Sequence, residues 1–477
     1  MNKSIRFTSR IALILTAILL VNLTVVQAFS TDKYAHDSRN MRGFIEQQKT
    51  PRGQIFAGNS VLAESVENDD ETYTRTYPED SAAFGPVTGY LSSTYGASQL
   101  EQSQNDILNG TDDALLRSNF WDTVTGKKKH GANVGVTINP ALQQAAFDQF
   151  SNNDYQGSAV AIQPSTGKIL AMASAPSYRA SAIADGDSAE DAWNYLQEQD
   201  GNPLLNHATQ ETLPPGSIFK IITTAAGLNN GFDPSSSLTG ESAITLPGTE
   251  TQLTNYAGQA CNGSDQVSLE TAFAYSCNTA FVQMADEVGG EELEKYAQAF
   301  GVGEKYDDLG VGTSPGQLGD LPDPAAVAQS AIGQRDVTMS ALQAAIMAGT
   351  VANNGKRMKP YLVDRITDAR MNDIRTTEPK EEDSIDEGTA ATIKDLMFAS
   401  EHQTFGYDGN GFASKTGTAE HGEGLAPHTW YVAFDPDRDI AVGVVVKDGG
   451  HEGEGATGGK VAAPIGRAIL NAYQGGE

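Results

Sequence analysis

Residues 214–228 read PPGSIFKIITTAAGL: two prolines and a glycine, then a serine and a lysine three positions apart at the opening of an apolar stretch. Pro214-Pro215-Gly216 cannot lie inside a helix, so a helix begins at or beside Ser217 and runs to about residue 228. Residues three apart in a first turn share a face, which brings the Ser217 hydroxyl toward the Lys220 amine. An ammonium at the positive end of a helix dipole, shielded by Ile218, Phe219 and Ile221, gives up its proton more readily. A neutral amine beside a hydroxyl can serve as its base, the serine–lysine form of nucleophilic catalysis. The same spacing also describes an N-cap serine with a solvated lysine. It recurs at Ser30–Lys33 and Ser165–Lys168, so the motif takes its meaning from the rest of the chain.

Two further segments supply that meaning. YSCN places Ser276, Cys277 and Asn278 at the end of a helical stretch, and ASKTGTAE places Lys415, Thr416, Gly417 and Thr418 on a strand. The tripeptide S-x-N also occurs at Ser38, Ser103 and Ser151, but only Ser276 falls between Ser217 and the K-T-G. The order S-x-x-K, S-x-N, K-T-G is the constellation of penicillin-binding proteins and class A β-lactamases. Its parts fit one chemistry. Ser276 can relay a proton between Lys220 and a leaving amine, and Asn278 can hydrogen-bond a peptide carbonyl. A peptide can lie along the 415–418 strand as an added strand, with Lys415, Thr416 and Thr418 offered to a terminal carboxylate. The backbone N–H groups of Ser217 and Thr418 are the expected oxyanion donors.

Composition sets the surroundings of this site. The chain has 477 residues, 39% hydrophobic and 19% charged, the balance of a packed globular protein with room for two or three domains. A net charge of -29 repels phosphate backbones, which argues against nucleic acid as a partner, and repels anionic lipid as well. Membrane contact therefore needs an apolar device. Residues 1–10 carry Lys3, Arg6 and Arg10, and Ile11–Phe29 follows without a charge. That length suits an uncleaved transmembrane anchor, with Val26-Gln27-Ala28 as the alternative of a cleaved signal. The basic flank stays cytoplasmic and places the remainder outside the cell membrane. On that oxidising side Cys261 and Cys277 form either one disulfide or two buried thiols.

Residues 30–130 are polar and turn-rich and predict a small β-rich pedestal domain, with Lys127–Lys129 as a solvated linker. Residues 131–477 predict a second, larger domain. In it GSAVAIQ and KILAMAS form a hairpin about PSTG. Helices are expected at 217–228, 267–276 and 280–300, and from Ser330 through the glycine stop at Gly355. The acidic run Glu378–Asp386 reads as a solvated helix lead-in. Three strands, GFASKTGTA, TWYVAFDP and IAVGVVVK, precede a terminal helix. The expected fold is α/β (α+β): an antiparallel sheet covered by helices. GTSPG at 312–316 imitates a hydrolase nucleophile elbow, but Pro315 lacks the N–H that motif needs. Histidines 36, 130, 207, 402, 421, 428 and 451 form no helical metal-ligand pair; His207 and His428 read as packing residues, and Trp430-Tyr431 as core.

With these residues in view, the chain from about residue 39 onward resembles the class B penicillin-binding proteins, within them the actinobacterial penicillin-binding protein A type. PRGQIF with Arg52-Gly53 and Ile55, GYLSSTYGASQLEQSQNDILNG, LLNHATQETLPPGSIFK, SAIGQRDVTMSALQAA, APHTWYVAFDP and GGKVAAP carry the likeness. The chain departs from many relatives at Phe56–Asn59 and at Glu420-His421. The resemblance implies a serine-transpeptidase (β-lactamase-like) fold behind a pedestal or dimerisation domain, with no cofactor and no metal. It implies peptidoglycan D,D-transpeptidation: Ser217 attacks the D-Ala-D-Ala carbonyl of a stem peptide and passes the acyl group to a neighbouring amine, and β-lactams acylate the same serine. It also implies a membrane glycosyltransferase as working partner. The rivals are a D,D-carboxypeptidase or β-lactamase and a non-catalytic sensor or scaffold. Against the first, the E-x-x-x-N placement of class A enzymes is missing between S-x-N and K-T-G; against the second, only ten residues remain cytoplasmic.

Overall fold

Short apolar runs bounded by turn residues become strands, and longer ones helices, in the computed structural model, which describes residues 3–29, 49–79, 81–112, 115, 130–184, 186–422 and 424–475. Ser30–Lys33, Ser38 and Lys127–Lys129 lie outside the described residues. The elements that position the site are, in chain order, helix α1 (Lys3–Phe29) and strands β1 (Ile55–Ala57), β2 (Ser60–Glu67), β3 (Tyr73–Thr76) and β4 (Asn133–Val136). Helix α2 (Pro140–Ser151) leads to strands β5 (Gly157–Ile162) and β6 (Ile169–Ala175). Helices α3 (Lys220–Leu228), α4 (Leu269–Ala274), α5 (Asn278–Val288), α6 (Gly290–Ala299) and α7 (Ala341–Ala352) form the middle block. Strands β7 (Val363–Thr367) and β8 (Asp373–Thr376) and helix α8 (Glu387–Gln403) precede β9 (Ala413–Ala419), β10 (His428–Asp435), β11 (Ile440–Val446) and helix α9 (Ala462–Ala472).

Helix α1 contains an apolar segment, Ile5–Val25, of mean hydropathy 1.9, long and apolar enough to cross a membrane. Two of its hydroxyls, deep in the segment, do not interrupt it. Thr16 and Thr24 donate to the carbonyls of Ala12 and Leu20 one turn back, so neither brings an unsatisfied polar group to the helix surface.

The pedestal sheet runs β8-β7-β4-β1-β2-β3, so two strands from beyond residue 360 complete a sheet begun by the N-terminal segment. Its anchor is the Arg52-Gly53 dipeptide. Arg52 donates to buried Glu101 at 2.8 Å and to Asn109 at 2.7 Å, and Arg75 donates to the same carboxylate at 2.6 Å. Burial pushes the Glu101 carboxyl up, but Arg75 and Arg52 outweigh that and hold it below its ordinary value. At Gly53 a Cβ would stand 1.9 Å from the Ala132 carbonyl oxygen, so only glycine lets the two segments meet.

The second sheet, β9-β10-β11-β5-β6, is antiparallel throughout. Strands β5, β6, β10 and β11 are buried at every position, because helices cover both faces. The period of two still sorts their side chains. Trp430, Val432 and Phe434 of β10 enter the large core shared with the middle helices. Tyr431 and Ala433 turn to the opposite core, where Phe150 of α2 and Ile465, Ile469 and Leu470 of α9 pack.

Four local expectations are corrected. Ser217 lies in a 3₁₀ turn, Gly216–Phe219, and the α-helix begins only at Lys220, because Gly216 takes φ 53° and the chain must still unwind from the prolines. The expected helix at 280–300 breaks at Gly289 into α5 and α6. The helix expected from Ser330 begins at Ala341, where Ser340 and Gln343 form a reciprocal capping box; the preceding residues turn through Gly333 and Arg335 instead. Part of the run Glu378–Asp386 is a strand, Glu381–Ser384, paired with Lys356–Met358, and Asp386 caps α8.

Candidate active site

The Pro214–Lys220 turn is held from three directions. Trp430 of β10 donates its indole N–H to the Pro214 carbonyl at 2.8 Å, and the Gly216 amide donates to Gly333 at 2.9 Å. A Cβ on Gly216 would stand 2.7 Å from the Thr418 carbonyl oxygen, so glycine permits the turn to press against β9. Ser217 is half-buried, whereas Ile218, Phe219 and Lys220 are fully buried. The turn thus presents the serine and hides the lysine.

Lys220 Nζ donates to the Ser276 carbonyl and to Asn278 Oδ1, both at 2.7 Å, and lies 3.4 Å from Ser276 Oγ. The expected pairing of Lys220 with Ser217 is not among these contacts; all of them go to the 276–278 segment. Burial, and then the neighbouring Lys415, push the Lys220 amine well below its ordinary pKa. A neutral amine has two N–H groups and one lone pair. The two 2.7 Å acceptors use both N–H groups and leave the lone pair free.

Lys415, the third residue of β9, is fully buried, and burial lowers it to about 7. Its Nζ donates to Ser276 Oγ at 2.8 Å and to the Thr416 carbonyl at 3.1 Å. Ser276 therefore stands between the two lysines. It connects α4 to α5 and holds φ 58°, a left-handed conformation that costs a non-glycine residue about 1–3 kcal/mol. Strain of that kind persists where the surroundings over-determine it. Here Cys277 is joined to Cys261 by a disulfide, and Asn278 donates to the Thr254 carbonyl at 3.0 Å.

Among the described residues strand β9 is an edge strand, paired only with β10. Thr416 and Thr418 are half-buried and Gly417 is buried. Thr418 Oγ1 accepts from the Gly458 amide at 3.2 Å, which ties the strand to the Gly458-Gly459 turn before α9. The structure thus brings together the segments that carry Ser217 and Lys220, Ser276 and Asn278, and Lys415, Thr416, Gly417 and Thr418. The sequence reading missed Trp430, Gly333 and Thr254 as its supports. Trp430 carried a signal, an indole N–H to satisfy on a strand otherwise buried along its whole length; the other two carried none, since each acts through its backbone. Among the described residues one group of metal-ligating side chains is assembled, His421, His428 and Asp448, beyond the far end of β9.

Comparison with known proteins agrees with this geometry. Residues 157–471 match the penicillin binding protein transpeptidase domain, and residues 52–134 match the penicillin binding protein A dimerisation domain. The peptidoglycan D,D-transpeptidase PbpA of Mycolicibacterium smegmatis is 43% identical over 99% of each chain. That of Mycobacterium tuberculosis is 40% identical over the full length of both. Penicillin-binding protein A from M. tuberculosis, solved as a ceftriaxone acyl-enzyme complex, superposes with a TM-score of 0.86 at 40% identity, covering 90% of this chain and 100% of that one. Its penicillin G acyl-enzyme complex gives 0.84, also at 40% identity, covering 89% of this chain and 99% of the other.

Proposed function

The chain belongs to the penicillin-binding protein transpeptidase family, and from that premise we propose that it is a peptidoglycan D,D-transpeptidase acting through Ser217. The observation that carries the assignment is Ser276 Oγ, 2.8 Å from Lys415 and 3.4 Å from Lys220, at the meeting point of three segments far apart in sequence. Ser217 Oγ attacks the penultimate carbonyl of a D-Ala-D-Ala stem peptide laid along β9, and its proton passes to the neutral Lys220 amine. The C–N bond then breaks. Ser276 hands the leaving amine a proton drawn from Lys220, and D-alanine departs. An acceptor amine attacks the acyl-enzyme, its proton returns by the same route, and Ser217 regains its hydroxyl hydrogen. Lys415, Thr416 and Thr418 hold the substrate carboxylate, Asn278 a substrate carbonyl, and the amides of Ser217 and Thr418 the oxyanion.

A β-lactam follows the first half of this route, but its leaving nitrogen stays tethered in the acyl-enzyme and blocks the acceptor's approach. Helix α1 anchors the chain as a single pass, with Lys3, Arg6 and Arg10 on the cytoplasmic side and the cleft outside. A membrane glycosyltransferase that supplies nascent glycan strands is the partner class. The test is covalent labelling by a fluorescent penicillin. Labelling is stable in the wild type, lost in Ser217→Ala and blocked in Lys220→Ala. Rapid turnover of the penicillin points to a hydrolase instead, labelling of Ser217→Ala refutes the nucleophile, and normal labelling of Lys220→Ala refutes the base.

A further inference from the structure

The turn joining β9 to β10 is bracketed by two histidines. His421 follows the strand that carries Lys415–Thr418, and His428 opens β10 opposite Ala419. Their ring centroids lie 4.0 Å apart. A third stretch of chain reaches them from β11: Asp448 Oδ1 lies 3.0 Å from His421 Nε2 and 3.6 Å from His428 Nδ1. All three ligand atoms fall within 4.8 Å of one another. Asp448 holds φ 49°, a left-handed conformation, inside a glycine-rich loop. The adjacent cation does not neutralise it, because Lys447 is drawn away to Glu211 at 2.6 Å.

We propose that His421, His428 and Asp448 form a three-ligand site for a divalent transition-metal ion of the zinc class. Two imidazoles and a carboxylate suit zinc and its first-row neighbours, whereas magnesium and calcium ask for oxygen alone. Metal bonds of about 2.0–2.2 Å set tetrahedral donors roughly 3.4 Å apart, and the two measured separations from Asp448 straddle that value. The Asp448 amide donates to His428 Nδ1 at 3.2 Å, so that lone pair already faces the aspartate, and an ion replaces one long hydrogen bond. The His428 side chain is buried while those of His421 and Asp448 are 23% and 61% exposed, which leaves an entry path and room for water as further ligand. The ion would clamp His421 and His428 to the loop after β11, with His421 two residues beyond the end of the strand along which the substrate lies. Sequence inspection could not find it, because the ligands come from three segments with no regular spacing.

The test uses the detergent-solubilised full chain titrated with cobalt(II), whose visible ligand-field bands report nitrogen and oxygen coordination, followed by zinc competition. Equimolar, saturable cobalt binding displaced by zinc is expected for the wild type. His421→Ala and Asp448→Ala each weaken it by more than about 100-fold, since even an outer-shell partner of a ligand is worth about 10- to 100-fold. His451→Ala, an exposed histidine of the same loop, binds as the wild type does. Labelling by fluorescent penicillin shows that each variant is folded, and if Asp448→Ala fails that check the exposed His421 carries the comparison alone. Absence of saturable cobalt binding, or undiminished binding in His421→Ala, overturns the site.

Discussion

Replacing Lys415 by methionine keeps the volume of a buried side chain and removes the charge that faces Lys220. Both lysine side-chain nitrogens approach Ser276 Oγ, at 2.8 and 3.4 Å. Unit charges about 6 Å apart, the widest separation those contacts allow, repel by about 2.8 kcal/mol at an effective dielectric of about 20 and about 0.7 kcal/mol in water. That repulsion favours the neutral form of Lys220, in keeping with the direction of its shift. Removing it raises the Lys220 pKa, by an amount that those two repulsion energies bound. Since only the neutral amine can take the Ser217 proton, the acid limb of acylation moves to higher pH by the same amount. The assay is single-turnover acylation at saturating β-lactam from pH 4 to 9, by stopped flow, so that weakened binding of the carboxylate does not enter the rate. With Lys415 at about 7, apparent affinity for the β-lactam also declines above that pH in the wild type and loses this dependence in Lys415→Met. An acid limb that stays in place, or moves to lower pH, refutes the coupling between the two lysines.

Ser276 separates strain from chemistry: Ser276→Ala and Ser276→Gly both lose the relay hydroxyl and slow acylation by about 10²–10⁴-fold, yet the glycine variant is the more stable by about 1 kcal/mol because φ 58° costs glycine nothing. Denaturant unfolding beside acylation rates checks both halves. Replacing Cys261 and Cys277 together by serine opens a loop closed across a sequence separation of 16 and lowers stability by about 3 kcal/mol, read as a shift in the unfolding midpoint, with acylation slowed because Ser276 loses its neighbouring tether. Glu101→Gln leaves two buried guanidinium groups short of a counter-charge and costs about 3–5 kcal/mol in calorimetry. The Glu101 carboxyl is held below its unfolded value, so its contribution is complete above the ordinary carboxylate range and is lost as pH falls through the lowered folded value. The variant's melting point should therefore converge on that of the wild type in acid.

Much of the site could be read from the chain because its informative features are local. A serine and a lysine three apart after Pro-Pro-Gly, and a K-T-G on a strand of small and hydroxylated residues, are restricted by backbone sterics within a few residues. Helix and strand boundaries were less legible where one glycine changed the path. At Gly216 the expected α-turn became a 3₁₀ turn, and at Gly289 one helix became two, since a positive φ depends on which neighbour the backbone must meet.

The sequence by itself determined the apolar N-terminal segment, the order of the three motifs and the apolar runs of the central strands, all of which follow from side-chain polarity and short-range sterics. The tertiary structure alone decided that Lys220 donates to Asn278 and Ser276 rather than to Ser217, and that strands from 363–376 complete the pedestal sheet. It also decided that two histidines and an aspartate from separate segments face one another. Those outcomes depend on desolvation and on contacts between residues scores of positions apart. Both are set by how the packed layers close over one another, and no window of sequence contains them.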